Sequence, residues 1–206
     1  MSPAPQILIL AAGASVRMRG ADKCLEDVDG VPLIARVAQT ALATGHAVSV
    51  ALPPDRPLRN LALAGLVLTH VTVPDPGAGL AASVLAGLAA LPLDAPVLIV
   101  LADMPEVTTD DLRLMLAEAA RSPGLILRGA DVAGRPGHPV LMPVWLRAEA
   151  AALAGDEGLR PVLARHKDRL RLIALPGHHA TTDLDTPEDW AQWRAARQAA
   201  NSTRAS

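Results

Sequence analysis

The chain of 206 residues has one cysteine, no phenylalanine, no tyrosine and three tryptophans. A lone Cys24 excludes a disulfide framework and any multi-cysteine metal site, and it points to a reducing compartment. So few aromatic rings leave no stacking platform for single-stranded nucleic acid. Neither sign of charge dominates: 19 basic residues stand against 21 acidic ones, a net charge of −2, so no polyanion-binding surface is expected. No apolar run approaches the length of a membrane span, and Met1-Ser2-Pro3-Ala4-Pro5 carries no basic leader. The expectation is a cytoplasmic protein with a small-molecule partner, binding neither nucleic acid nor membrane.

Half of the residues are apolar, enough for one good core and short for two, and neither a repeat nor a linker divides the chain. A single domain over residues 1–206 is expected, with the polar residues 198–206 as a frayed tail. Ile7-Leu8-Ile9-Leu10 is the unbroken apolar run of a strand buried on both faces. Residues 32–44 place Leu33, Ile34, Val37, Ala38, Ala41 and Leu42 on one face of a helix, and Gly45 stops it. Further strands are expected at 47–52, 66–73, 96–102, 124–127, 140–142 and 170–175. Helices are expected at 80–91, 108–120, 144–154 and 159–166, and a last one opens at Thr186-Pro187. This alternation predicts a mainly parallel sheet with right-handed crossovers.

The first strand empties into Ala11-Ala12-Gly13-Ala14, where small side chains leave main-chain amides open to an anion. Arg17, Arg19 and Lys23 bring positive charge to the same loop, which suits a nucleoside triphosphate. The Walker A spacing fails, because Gly20 precedes Ala21-Asp22-Lys23 and not Gly-Lys-Ser/Thr. An ordinary βα turn with solvated arginines is the alternative. The chain has seventeen arginines and only two lysines, so the compact ammonium of Lys23 reads as a chemical requirement. Asp103 ends the second strongly apolar strand, at the crevice where open α/β sheets bind ligands, which is a metal position unless it merely begins a turn before Pro105.

Other signals carry less. Gly77-x-Gly79-x-x-Ala82 fits a loose dinucleotide fingerprint, but it lies beyond the first βα turn and no acidic residue stands at the right distance, Asp94 coming too early. Asp110 and Asp111 are explained by the first turn of a helix capped by Thr108. Thr186 to Asp189 are explained in the same way, whereas Asp183 and Asp185 are not. Cys24 beside Lys23 is either a thiol of lowered pKa or a small buried residue. His178-His179 is either a solvated pair or part of a transition-metal site.

Leu10-Ala11-Ala12-Gly13-x-Ser15-x-Arg17-Met18, followed by Lys23, resembles the signature loop of the nucleotidyltransferases, in particular the molybdenum cofactor cytidylyltransferases. It departs from that pattern at Arg19, which intervenes before Gly20. The resemblance runs from Ile7 to about Trp193 and implies a three-layer α/β/α, Rossmann-like domain with a mainly parallel sheet. It implies that Leu10, Ala11, Ala12, Gly13, Arg17 and Lys23 surround the nucleotide, with Gly79, Ala82 and Ser83 against the base. It further implies that Asp103 and Asp185 hold Mg²⁺, or Mn²⁺ in its place, and that Arg17, Lys23 and Asp103 are catalytic. Gly134-x-x-Gly137-His138-Pro139-Val140 matches the segment that faces the acceptor, although a His between Gly and Pro is as readily structural. Arg160, after the Gly155-Asp156-x-Gly158 turn, is a second acceptor candidate against a solvated helix face.

The activity implied is transfer of CMP from CTP to the phosphate of the molybdenum-bearing molybdopterin cofactor, with release of pyrophosphate. A client molybdoenzyme or its chaperone is the protein partner that this activity implies. CTP follows from Leu-Ala-Ala-Gly, where guanylyltransferases of the resembled family read Leu-Ala-Gly-Gly, the Ala12 methyl narrowing the space beside the base; the alternative is that Ala12 packs against the strand and residues 79–83 choose the base. GTP or a sugar 1-phosphate as substrate, a nicotinamide-dependent oxidoreductase and a non-catalytic cofactor carrier are the alternatives.

Overall fold

The computed structural model describes residues 3–153 and 155–204. β1 (Gln6–Leu10) leads through a loop with two 3-10 turns to a small hairpin, β2 (Asp27–Val28) and β3 (Val31–Pro32). Asp29 and Gly30 form its tip, both at positive φ. Then follow α1 (Leu33–Leu42), β4 (Val48–Leu52), α2 (Pro57–Ala62), β5 (Thr69–Thr72), α3 (Leu80–Ala89), β6 (Val97–Leu101) and α4 (Thr109–Arg121). The second half holds β7 (Ile126–Ala130), β8 (Pro136–Met142), α5 (Val144–Arg147), α6 (Arg160–Arg165), β9 (Leu170–Ala174) and α7 (Pro187–Arg204).

Seven strands form one sheet in the order β5-β4-β1-β6-β8-β7-β9. β1 lies parallel between β4 and β6, and β9 is parallel to β7, while β8 runs antiparallel to both of its neighbours. The sheet is thus mainly parallel, as the alternation of strands and helices predicts. Apolar clusters cover both faces. Ile7, Ile9, Leu98 and Val100 pack on the side of α1, α4 and Trp190, and Leu8, Leu10, Val97 and Ile99 pack on the side of α3 and α6. Each fully buried Leu or Ile contributes about 1.5–3 kcal/mol, so the two continuous apolar strands are the chief stabilising elements. Thr108 caps α4 in a reciprocal box with Asp111. Among the described residues no helix is long and apolar enough to cross a membrane.

Four expectations are corrected. The strand expected at 140–142 begins at Pro136, so Pro136, Gly137, His138 and Pro139 are paired backbone and not loop, and the His138-Pro139 peptide is cis. The cause is a tertiary contact: the His138 N–H donates to the Ala180 carbonyl at 2.9 Å, and Gly137 lies so close to Ala180 that no side chain would fit. The strand expected at 66–73 is only four residues long. The helix expected at 144–154 stops at Arg147 and continues as a 3-10 segment, Ala148–Ala152, while Ala154 lies outside the described residues. The tail expected to fray from 198 is helical to Arg204, with Ala205 and Ser206 outside the described residues. The earlier turns of α7 anchor it: Trp190 is buried, and Arg194 and Arg197 stack over Trp190 and Trp193 at 4.8 and 4.7 Å.

The turn between β7 and β8 is organised by Asp131. Its buried carboxylate accepts from the Ala133 and Arg135 amides at 3.0 and 2.9 Å, from Arg135 Nε at 2.7 Å and from Thr181 Oγ1 at 3.1 Å. Burial opposes ionisation, but these donors, Arg135 first, hold the carboxyl far below its ordinary value. A carboxyl depressed in the fold stabilises it above the unfolded value, about 3.9, and that contribution is lost as pH falls toward the folded value. Asp131→Asn should therefore lower Tm at pH 7, with the gap to the parent closing below about pH 4. Thermal denaturation of both proteins from pH 7 to pH 2.5 checks this, and a gap independent of pH would show that the charge plays no part.

Candidate active site

The carboxyl ends of β1 and β6 lie side by side, because the two strands pair in parallel from Gln6 to Leu10 and from Val97 to Leu101. Two loops therefore leave the sheet at one edge. The first carries Ser15 and Arg19 in the left-handed region and Gly20 at φ 99°, and these turns bring the chain back so that Asp22 opens a 3-10 turn containing Lys23. Arg19, the residue that departs from the resembled pattern, occupies one of those left-handed positions and pairs with Glu188 at 2.6 Å. The second loop begins with Asp103. A third segment is drawn in from far along the chain, since the Leu184 N–H donates to the Asp103 carbonyl at 3.2 Å.

Asp185 sits at the end of that segment and is steadied by the start of α7. The Asp189 carboxylate accepts from the Asp185 and Thr186 amides at 3.2 and 2.9 Å, and the Asp189 amide donates back to Thr186 Oγ1 at 3.1 Å. This cap uses backbone groups only of Asp185, so its carboxylate remains free to face the first loop. There Lys23 Nζ spans two carboxylates, 2.5 Å from Asp103 Oδ2 and 2.7 Å from Asp185 Oδ1, and Arg17 reaches the other Asp185 oxygen at 2.5 Å. Burial works against the Lys23 ammonium, but the neighbouring Asp103 and Asp185 outweigh it and raise its pKa well above the ordinary value, so it stays charged. Asp103 Oδ1 is buried and has no hydrogen-bond partner. Asp183 stands near the same pair: burial first, then the charges of Asp103 and Asp185, push its carboxyl up.

Two cavities flank this cluster. The larger, about 630 Å³, is lined by Gly13, Arg17, Lys23, Gly79, Ser83 and Asp185 among others, and so brings most of the expected nucleotide residues together. Gly79 sits at φ 90° where α3 begins, so close to the Gly155 backbone that a Cβ would meet it at 2.5 Å. The smaller, about 260 Å³, is lined by Leu10, Arg128, His138, Arg160, Thr181 and Asp183 among others, and it shares Leu80 and Asp156 with the first. The imidazole of His138 is pushed down to about 4, by burial first and then by the Arg128 charge, and its buried Nδ1 has no partner. At neutral pH it is uncharged, and its Nδ1 has unused hydrogen-bonding capacity. Burial and the nearby Arg160 charge lower the pKa of Arg128, which donates to the Gly137 carbonyl at 2.9 Å.

Not every residue expected at the nucleotide lines the larger cavity. The Ala12 methyl does not line the larger cavity; Ala12 is 2% exposed and belongs to the apolar cluster on the α3 face. Ala11 is equally buried on the other face, and Ala82 also lies outside that lining. Of the two readings of Cys24 the structure takes the small buried residue. Burial pushes its thiol up to about 12, Asp22 adding to this and Arg59 opposing it. The two histidines are not alike: His178 is exposed, whereas His179 Nδ1 lies 2.7 Å from Asp111 Oδ2 and is largely buried. Asp111 therefore does more than cap α4. Among the described residues no group of three or more His, Cys, Asp or Glu is placed to hold a metal unaided.

Arg59 is the residue that sequence reasoning misses. It has no exposed surface, and its guanidinium holds the Ala11 and Gly13 carbonyls at 2.5 and 2.8 Å and both Asp22 oxygens at 2.8 Å. The polarity of α2 is inverted, with Leu58 and Leu61 60% and 69% exposed while the arginine is inside. A six-residue helix offers too little periodicity to reveal that.

Residues 7–170 match the family described as the MobA-like NTP transferase domain. A nicotine blue oxidoreductase from Paenarthrobacter nicotinovorans is 30% identical over 193 residues, 88% of this chain and 92% of that protein. A probable molybdenum cofactor guanylyltransferase from Natronomonas pharaonis is 30% identical over 190 residues, 88% of this chain and 93% of that protein. Among solved structures, Rv0371c from Mycobacterium tuberculosis superposes with a TM-score of 0.79 at 25% identity, covering 93% of this chain and 98% of that one. The same mycobacterial protein is also known in complex with manganese.

Proposed function

Since the chain belongs to the MobA-like NTP transferase family, we propose that it transfers CMP from CTP to the phosphate of the molybdenum-bearing molybdopterin cofactor, releasing pyrophosphate. The observation that carries this reading is Lys23 spanning Asp103 and Asp185 at the mouth of a loop of small residues. In such a site the acceptor phosphate oxygen attacks the α-phosphorus in line, and the bond to the pyrophosphate oxygen breaks. No general base is required, because a phosphate monoester is already an anion at neutral pH. Arg17 and Lys23 face the charge that grows on the departing pyrophosphate. The smaller cavity, with Arg128, Arg160 and neutral His138, receives the acceptor: two guanidinium groups suit its phosphate, and an unpaired imidazole nitrogen suits a heterocycle edge. A client molybdoenzyme or its chaperone would collect the product.

Asp103 and Asp185 would hold a divalent cation, Mg²⁺ or Mn²⁺. The donor set fits such hard ions, and the open Asp103 Oδ1 is an oxygen awaiting a partner. Two carboxylates make no complete cage, which accords with a cation that shares its shell with phosphate oxygens and water. When bound, it supplies neutralisation of the phosphate charges.

A second reading rests on one observation, the oxidoreductase from Paenarthrobacter that is as similar as the guanylyltransferase. Its sequence counterpart, Gly77-x-Gly79-x-x-Ala82, follows β5 and not β1, and the carboxylate at the end of β6 is paired with Lys23. Fluorescence titration with NADH separates the two readings, since a transferase leaves the NADH signal unchanged.

Two outcomes are expected. Asp103→Asn and Asp185→Asn should each lower kcat by about 10²-fold or more in folded protein, because charge stabilisation dominates phosphoryl-type transfer. Excess chelator should abolish turnover, and undiminished turnover in chelator would contradict the assignment of the carboxylates. The second outcome concerns the base. Ala12 is buried in the apolar cluster with Ala81 and Val84 of α3, so its methyl acts on the base through the packing of the loop, and tight-site repacking costs roughly 1–3 kcal/mol. With equal CTP and GTP, the parent should prefer CTP by about tenfold or more, and Ala12→Gly should narrow that preference. A parent that prefers GTP would overturn the cytidylyl assignment and leave nucleotidyl transfer standing.

A further inference from the structure

An arginine lies wholly inside a protein only when its donors and its charge are met. Around Arg59 both conditions hold. Nη1 donates to the Ala11 carbonyl, Nη2 to the Gly13 carbonyl and to Ser15 Oγ at 3.2 Å, and the carboxylate of Asp22 balances the charge from both of its oxygens. The larger cavity is lined by Gly13, Ala14, Ser15, Arg17 and Lys23 and not by Arg59, so the arginine reaches the loop without entering that lining.

The geometry of the peptide group gives this clamp a consequence. In a trans peptide the C=O and N–H bonds point to opposite sides. Drawing the Ala11 and Gly13 carbonyls back onto the guanidinium turns the Ala12 and Ala14 N–H groups away from it; Ala14, with Gly13 and Ser15, lines the cavity, and Ala12 lies just behind that lining. Among the described residues, the N–H groups of Ala12, Gly13, Ala14 and Ser15 have no protein acceptor. Asp22 extends the clamp to the catalytic lysine: its Oδ1 accepts from the Cys24 amide at 3.0 Å and from Ser15 Oγ at 3.4 Å, while the Lys23 amide donates to Ser15 Oγ at 3.3 Å. The backbone on both sides of the Lys23 side chain is thus tied into a network that Arg59 closes.

We propose that Arg59 is a positioning residue for the nucleotide, holding the loop amides toward the triphosphate and fixing the backbone from which Lys23 reaches. This rests on the nucleotidyl-transfer reading. Arg59 touches no phosphate itself. Its effect falls on the triphosphate and spares the acceptor, a division that a residue serving only stability would not produce.

Arg59→Lys and Arg59→Ala test it, with calorimetric titration of CTP and of inorganic pyrophosphate and with steady-state kinetics using the isolated molybdenum cofactor. Arg59→Lys keeps the charge, but its three N–H donors radiate from a single nitrogen and lack the planar fork that spans the Ala11 and Gly13 carbonyls and both Asp22 oxygens. Both variants, assayed below their Tm, should weaken CTP and pyrophosphate binding by about tenfold or more and lower kcat, with the KM for the cofactor essentially unchanged. Millimolar guanidinium should restore CTP binding to Arg59→Ala. Folded Arg59→Lys that binds CTP and pyrophosphate as the parent does overturns the proposal, and so does an equal rise in both KM values that tracks the loss of Tm. A parent protein that binds neither CTP, GTP nor pyrophosphate overturns the transferase reading beneath it.

Discussion

One ammonium ion ties three distant segments of this chain together. Lys23 lies in the loop after β1, Asp103 at the end of β6 and Asp185 just before α7, and Lys23 Nζ is within 2.7 Å of both carboxylates. Two carboxylates so placed repel each other unless a cation stands near, and a largely buried lysine loses its charge unless anions hold it. Each group therefore needs the others. The parallel pairing of β1 with β6 sets two of the three at one edge of the sheet, where ligands of open α/β sheets bind. The third arrives because the segment after β9 is bonded to β8 through Ala180 and to Asp103 through Leu184.

Much of this was readable where a signal is local. Continuous apolar runs announce strands buried on both faces, and β1 and β6 are such strands. Asp103 is marked by its place at a strand end and Lys23 by the rarity of lysine. Asp183 and Asp185 are both left over once the cap of α7 is accounted for, and only the resemblance singles out Asp185. What escaped is decided by contacts between remote segments. Pro136 to Pro139 have loop composition, yet Ala180 supplies a partner that makes them strand. Arg59 has a surface residue's chemistry and a core residue's place, because the acceptors that satisfy it lie more than 35 positions away. Asp111 looks fully used by its cap, and only the fold reveals the bond to His179.

Relatives of equal identity bear the names of a guanylyltransferase and of an oxidoreductase. A fold that carries different chemistries places the burden of assignment on the site. Here the site contains charge and position: two cations, three carboxylates, open amides and, in the adjoining cavity, a neutral imidazole. Cys24, the one thiol in the sequence, is kept protonated by burial and stands apart from the chemistry. The proposed reaction asks of the protein only that it hold phosphates in line and neutralise them, and no side chain has to form a bond to phosphorus.

Stereochemistry at the α-phosphorus tells directly whether any side chain bonds to it. With a nucleoside triphosphate bearing sulfur at one α-phosphate position, in a single configuration, a direct in-line attack by the acceptor inverts the phosphorus. The product should therefore show inversion. Retention would mean two displacements through a covalent nucleotidyl-enzyme, and it would contradict the account of a site that works by charge and position alone.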